Sequence, residues 1–459
     1  MFETIKNAFK IKEVRKKILL TILFVIIYRL GCSITVPGLA PIEFGESQSA
    51  GILGLLNSIT GSALSQGTLF SLGISPYINA SIIVQLLTVA IPALERMSKE
   101  GEEGKKKINV ITRWVTLVLS IVSAVGIVLT LASTDGYINY NFLGGPGVFA
   151  DLYEGGLPAF LKANNWIMYI YIILLLVGGS MLTMWIGERI TEYGISNGIS
   201  MLIFVGIIAT AVQQLYVSFA GVGQEPLNLV SIGVFLVTLV LVFMFIVWVD
   251  GAERKIKVQY AKQVKGNKMY GGQSTFIPIK VNASGVMPLI FAYALMSFPQ
   301  MLIQTFWSSS NFATWWTKWM TANGNWCGIA VYNVVLAILI FVFAYFYSQI
   351  QFNPIEISKN IQNNGGFVTG IRPGRETSEY LAKVVRRITL WGAVFLTIIN
   401  LIPSVLFSLL PRVLNIPWNP TLVSSLSATG MLIVVSVALE VHKALENQIL
   451  MRHYKGFLK

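Results

Sequence analysis

Long apolar runs punctuate this chain, separated by connections that are alternately poor and rich in Lys and Arg. The runs occupy 18–36, 75–91, 114–132, 167–187, 195–217, 229–249, 284–306, 327–348, 388–410 and 421–439. A hydrocarbon core about 30 Å thick takes roughly 20 helical residues to cross. The pattern therefore predicts ten membrane-spanning helices. The run at 75–91 is short for that role, so extension or tilt is expected. Arg29 interrupts the first run and no small-x-small site closes it. That run is expected to stay as a span and not to be removed as a signal peptide.

One stretch breaks the pattern. Residues 51–66 are moderately apolar and rich in Gly and Ser, too short and too polar to cross. Such a segment suits an external interfacial helix or a half-helix folded back into a cavity, and the residues themselves leave both open. Two connections, 250–283 and 349–387, are unusually long, and long connections tend to be functional. In the first, the stretch 270–278 reads Tyr-Gly-Gly-Gln-Ser-Thr-Phe-Ile-Pro, which predicts a β-hairpin. In the second, Gly370 and the Pro373–Gly374 pair bracket Arg372 and predict a sharp turn that displays it.

Composition agrees with the spans: 54% of the 459 residues are hydrophobic and 12% charged, about half the charge of a soluble domain. Disorder is excluded on the same grounds. The net charge of +13 acquires a meaning once it is sorted by connection. Of 34 Lys and Arg, Arg29 lies within a span and only Lys162, Lys318 and Arg412 fall on one set of alternate connections. The rest lie on the other set and the two termini, which the positive-inside rule makes cytoplasmic. Both termini are then cytoplasmic, as an even number of spans requires. The basic connections also suit anionic lipid, at about 1 kcal/mol per basic residue near the surface.

Chemistry-bearing motifs are missing from the sequence. There is no Walker loop, no dinucleotide glycine fingerprint and no paired metal-ligand spacing, so neither cofactor nor metal is expected. His442 and His453 fall in the tail 440–459, and no carboxylate interrupts a span. Arg29 is the one ionisable residue inside a span, about 10 Å from its outer end at ~1.5 Å per residue, within reach of water by snorkelling. Gln85, Asn282 and Asn400 are polar, uncharged and inside or beside spans. Gln85 and Asn282 fit interhelical contacts and a wet path equally well. Cys32 and Cys327 read as free apolar fillers.

Several stretches together resemble the SecY family, the channel subunits of the bacterial protein translocase. They are Leu72-Gly-Ile-Ser-Pro-Tyr-Ile-Asn-Ala-Ser-Ile-Ile-Val-Gln-Leu86, Lys99-Glu-Gly-Glu-Glu-Gly-Lys105, 185–200, 280–288, Gly365-Gly366 with Arg372-Pro-Gly374, and the closing 451–458. The similarity runs end to end and in order. It implies an all-α integral membrane protein of ten spans in two inverted five-helix halves around a central pore. The halves would be 1–217 and 229–459, hinged at the external connection 218–228. Residues 52–66 would be the plug, with Leu53, Leu55, Leu56, Ile59, Gly61 and Leu64 as its body. By matched position the apolar pore ring would be Ile78, Ile82, Ile199, Ile203, Ile290 and Ile433. Taken singly, each isoleucine fits ordinary packing. As a ring, branched apolar side chains would expel water and block ions.

The resemblance also implies a lateral gate between spans two and seven that carries Gln85 and Asn282. It implies SecE-like and SecG-like small membrane subunits, the motor ATPase SecA, the ribosome, and signal peptides with their nascent chains as partners. The docking residues would be Arg254, Lys255, Arg372 and Arg375, arginine being well suited to ribosomal RNA phosphates. The place implied is the bacterial cytoplasmic membrane. Energy would come from the partner, in keeping with an activity that is not enzymatic. Three positions depart from the family pattern: Lys257 and Thr369 stand where proline is common, and Asn79 replaces a serine. The connection 307–326 carries Trp307, Trp315, Trp316, Trp319 and Trp326 and predicts an amphipathic element on the outer surface. A small-solute transporter would need ionisable residues near the midplane, and a membrane enzyme would need clustered catalytic groups. The sequence offers neither.

Overall fold

The structure, a computed structural model, describes residues 8–41, 57, 60–132, 138, 165–220, 228–260, 263–265, 268–270, 274–282, 285, 287–306, 310–320, 326–414 and 428–456. The helices are α1 (Lys12–Gly31), α2 (Ser75–Ala90), α3 (Pro92–Lys99), α4 (Glu102–Ala132), α5 (Asn165–Tyr193), α6 (Gly198–Ala220), α7 (Asn228–Asp250), α8 (Met287–Phe306), α9 (Asn311–Trp319), α10 (Trp326–Gln351), α11 (Pro354–Asn363), α12 (Arg375–Leu414) and α13 (Ala428–Gly456). Each of the ten apolar runs carries one of them. Among the described residues, four helices are by themselves long and apolar enough to cross a bilayer, and a bent pair adds a fifth.

Helix bounds depart from the apolar runs for local reasons. The first run is helical only to Gly31; beyond it Thr35 bridges Thr68 in extended pairing. The short run at 75–91 neither lengthens nor simply tilts. It breaks at Ile91 by 105° into α3. Pro92 accounts for this, because it supplies no N–H and forces the residue before it out of the helical region; Ile91 sits at φ −106°, ψ 113°. Helices α4, α12 and α13 extend well past their apolar runs into basic sequence.

The chain forms two compact units, one of residues 1–235, 294–332 and 415–459, the other of 236–293 and 333–414. In the first, α4 and α5 bury Ala124, Val128, Leu131, Met168, Ile172 and Leu176 together with Val36, Leu39 and Leu72. Outward, α1 exposes Leu19, Ile22, Leu23, Ile26, Ile27 and Leu30. A helix that is apolar on its exposed side as well belongs in lipid.

The second unit holds the strands β1 (Glu253–Tyr260), β4 (Ser274–Lys280) and β5 (Gly366–Val368), with a small hairpin of β2 (Gln263–Lys265) and β3 (Lys268–Tyr270) between β1 and β4. The three-stranded antiparallel sheet runs β4-β1-β5, with Ile256 opposite Ile277 and Val258 opposite Val368. It therefore joins the two long basic connections into one folded body. Ile256, Val258, Ile279, Ile361, Val368, Leu381, Val384 and Val385 form its core. The predicted hairpin exists in longer form, since 274–280 pairs back to 253–260, while the Gly-Gly turn at 271–272 lies outside the described residues.

Candidate functional site

The polar segment after α1 is the most unusual part of the first unit. Asn57 is helical, and from Thr60 to Ile74 the chain runs as consecutive turns, nearly all of them buried. Backbone groups buried without a ladder must find partners one by one. The side chain of Asn57 accepts from Ser65 N at 2.9 Å, and its carbonyl accepts from Ser62 N at 2.9 Å. Ala63 O accepts from the hydroxyls of Thr68 and Ser71, each at 3.1 Å. Gly61 has φ 71° and Ser62 φ 67°, left-handed values that suit glycine and strain serine.

This segment has a root tied to neighbouring stretches of chain by backbone hydrogen bonds and a tip tied by side-chain ones. At the root, Leu69 N donates to Ile34 O at 2.8 Å and Val36 N to Gly67 O at 2.9 Å. Phe70 stacks on Tyr28 with ring centroids 5.8 Å apart, and lies so close to Gly31 that a Cβ there would fall 2.0 Å from its ring. On α5, Gly179 lets Leu69 approach; a Cβ would stand 1.9 Å from the Leu69 carbonyl oxygen. The Ser180 hydroxyl donates to Gly73 O at 3.3 Å. At the tip the donors to neighbouring elements are side chains: Arg29 Nη1 to Gly61 O at 3.4 Å and Cys32 Sγ, a sulfur donor, to Thr60 O at 3.8 Å. Arg29 thus turns its guanidinium to the segment.

Gly61 packs against α6, with Gly206 Cα 3.2 Å from the position of a Cβ on Gly61. Ile199, Ile203 and Gly206 are spaced four and three residues apart, so they share one helical face. The two expected ring residues of α6 therefore lie on the same face as the seat of the segment. At ~1.5 Å per residue, Ile203 is about 4.5 Å along the axis from Gly206. Ile82, Ile203 and Ile433 are buried, and Ile78, Ile199 and Ile290 half-buried. Helices α6 and α13, which carry Ile203 and Ile433, pack together in the first unit; Ile290 belongs to the second unit. Of the expected plug residues, Gly61 and Leu64 are buried in the turns, and Leu53, Leu55, Leu56 and Ile59 lie outside the described residues.

The polar residues near the spans differ from one another. Gln85 Nε2 donates to Ser81 Oγ at 3.3 Å within its own helix. Asn282 is buried where the β4 strand ends, and its amide donates to Asp250 Oδ1 at 3.2 Å, at the end of α7. Ala252 O accepts from Val281 N at 3.0 Å, so this pair ties off the base of the hairpin. A Cβ at Gly392 of α12 would lie 2.7 Å from Val281 O, which shows how tightly the base is seated. Asn400 accepts from the Tyr293 hydroxyl at 2.5 Å. Asp250 and Gly392 had no sequence signal beyond their positions at a span end and within a span.

On the sheet, alternation places Lys255 and Lys257 on one face and Arg254 on the face of Ile256 and Val258. All three basic residues are exposed, and Lys255 pairs with Glu253 at 3.4 Å. Arg372 is exposed on a turn whose backbone is held by two buried side chains. Thr377 donates to Arg372 O at 2.7 Å, and Ser358 donates to Gly374 O at 2.6 Å. Gly370 and Gly374 take φ 86° and 100°, conformations that a side chain would strain. Arg375 is exposed and pairs with Glu379 at 2.9 Å, one turn along α12.

Helices with exposed apolar faces, a turn segment packed against several of them and a basic sheet on the connections define a polytopic membrane protein. The SecY family model matches residues 68–442, and the chain belongs to the SecY family. It is 38% identical over 467 residues to the protein translocase subunit SecY of Streptomyces coelicolor, covering 100% of both chains. It is likewise 38% identical over 468 residues to that of Thermotoga maritima, covering 100% of this chain and 98% of the other. Among solved structures, one described as a protein conducting channel superposes with TM-score 0.63 at 18% identity, covering 94% of this chain and 92% of that one. Sec61 in the canine ribosome-channel complex superposes with TM-score 0.60 at 18% identity, over 94% and 92%. At this identity, likeness to the solved structures bears on the fold.

Proposed function

We propose that this chain is the protein-conducting channel of a bacterial cytoplasmic membrane, moving unfolded secretory polypeptides across it and releasing membrane segments sideways between spans two and seven. The supporting observation is the seat of Gly61 on Gly206, one helical turn along from Ile203 and on the same face of α6. Ten spans with cytoplasmic termini would put that seat on the outer side of the isoleucines. The ring of Ile78, Ile82, Ile199, Ile203, Ile290 and Ile433 would then resist water and ions, and residues 52–66 would stop it from outside. An apolar constriction makes no sequence-specific hydrogen bonds, so it yields to any extended chain.

The uneven hold on the plug suits opening. The tip is tied to α1 and the residue after it by side-chain donors only, Arg29 and Cys32, whereas the root at 67–73 has backbone bonds to Ile34 and Val36. A translocating chain would displace the tip and leave the root anchored. The two halves, 1–217 and 229–459, would part about 218–228, with Gln85 and Asn282 beside the lateral gate. The exposed Arg254, Lys255, Arg372 and Arg375 would receive SecA or the ribosome, with SecE-like and SecG-like subunits in the membrane and anionic lipid around them.

Site-directed crosslinking tests this. Ile82→Cys and Ile290→Cys, in the assembled complex with a stalled secretory chain, should both crosslink to that chain. Crosslinks confined to lipid-facing positions such as Leu241 would refute the reading.

A further inference from the structure

The aromatic connection between α8 and α10 is not used by the function above. Within it lies α9, capped by Ser310, whose hydroxyl accepts from Ala313 N at 3.2 Å. Phe312, Trp315, Trp316 and Trp319 recur at intervals of three, one and three, so all four fall on one stripe of the helix. Phe312 is 52% and Trp315 47% exposed, although they stack on each other with centroids 6.0 Å apart. Asn311, Thr314 and Lys318 occupy the other side and are also exposed. Trp316 and Trp319 are half-buried, so Phe312 and Trp315 form the exposed part of the stripe, a paired aromatic surface that favours a cover.

The position of α9 says what the cover is. Its last turn abuts the start of α10: a Cβ on Gly328 would come 2.1 Å from Lys318 O and 3.5 Å from Trp319 Cα. From Gly328 onward, α10 is long and apolar enough to cross a bilayer. The helix α9 therefore sits at the level where that span enters the membrane. Tryptophan favours this boundary over either water or hydrocarbon. The helix carries no acidic residue, and Lys318 Nζ lies 5.9 Å over the Trp319 ring, on the stripe's edge, where a headgroup phosphate would meet it.

We propose that α9 is an interfacial anchor, lying in the plane of the bilayer surface with Phe312 and Trp315 inserted among the lipids and Lys318 at the headgroups. The inference requires only that α10 crosses the membrane. Assignment to the outer leaflet rests on the orientation proposed above.

Spin labels test the anchor in the assembled complex, reconstituted in phosphatidylethanolamine and phosphatidylglycerol vesicles with Cys32→Ala and Cys327→Ser. Labels on Phe312→Cys and Trp315→Cys should collide severalfold more with oxygen than with a water-soluble nickel chelate, and a label on Thr314→Cys should do the reverse. Equal nickel access at all three sites would overturn the anchor. So would protection of 312 and 315 from both reagents, which would mean that a protein covers the stripe. If the cysteine-free background fails to assemble, Trp315→Phe in the native background should lower the fraction of tryptophan fluorescence quenched by brominated lipid; no change would count against the anchor. An impermeant thiol reagent at Thr314→Cys reports the leaflet separately, so a wrong orientation and a wrong anchor give different results.

Discussion

The turn segment at 60–74 and the basic sheet of 253–260, 274–280 and 366–368 are two described parts of this molecule that are not helical, and they meet the same requirement in opposite ways. Both must satisfy backbone groups outside a helix. The sheet does so collectively, with a seven-residue register between β1 and β4 and apolar side chains from three separate stretches beneath it. The turn segment does so singly, through Asn57, Ala63, Thr68 and Ser71, and it fits by close approach at Gly31 and Gly179, with few large side chains. A ladder resists local loss, because each bond is backed by its neighbours. A seat built on close approach depends on the absence of single atoms. A single substitution should therefore disturb the turn segment more than the sheet.

This contrast grades the expected effects of substitution. Gly179→Leu should be the most damaging, because even a Cβ would stand 1.9 Å from the Leu69 carbonyl oxygen. Overpacking of that kind costs roughly 1–3 kcal/mol or more, and the root of the segment must move. A clear fall in the melting temperature of the purified complex, with raised protease access to 60–74, is the expected outcome. An unchanged protein would mean that the seat is not built on close approach.

Asn282→Leu should come next. It leaves the buried Asp250 carboxylate without its donor, at a cost of about 1–3 kcal/mol. Faster hydrogen exchange should follow at 252–258 and 274–282, with no change in 60–74. Exchange confined to α8 would show that the pair holds the helix and not the sheet. Lys255→Ala should do least to stability. Its pair with Glu253 is exposed, with the lysine 61% and the glutamate 36% accessible, and such pairs contribute about 0–1 kcal/mol. A larger loss would show that the strand face is covered.

What the sequence revealed follows the same division. Apolar runs mark helices wherever lipid or a core lies on every side, and all ten runs carry one. Arg372 was legible because Gly370, Pro373 and Gly374 leave few backbone choices there. The strand at 366–368 was not, because three residues have no period of their own and their partners lie about a hundred positions earlier in the chain. The seat of the turn segment was equally silent. Glycine is the seat at Gly31, Gly179 and Gly206, and a glycine within an apolar run does not say which carbonyl will approach it. The acceptor of Arg29 was silent for the same reason, since Gly61 O is a main-chain atom. The bend at Ile91 could have been read from Pro92.

Ion conductance of the complex in planar bilayers, with and without residues 53–65, tests the central claim most directly. If the turn segment closes an apolar constriction on α6, the deletion should raise the resting conductance severalfold while the complex still assembles and inserts. Resting conductance equal to that of the intact complex would contradict the account.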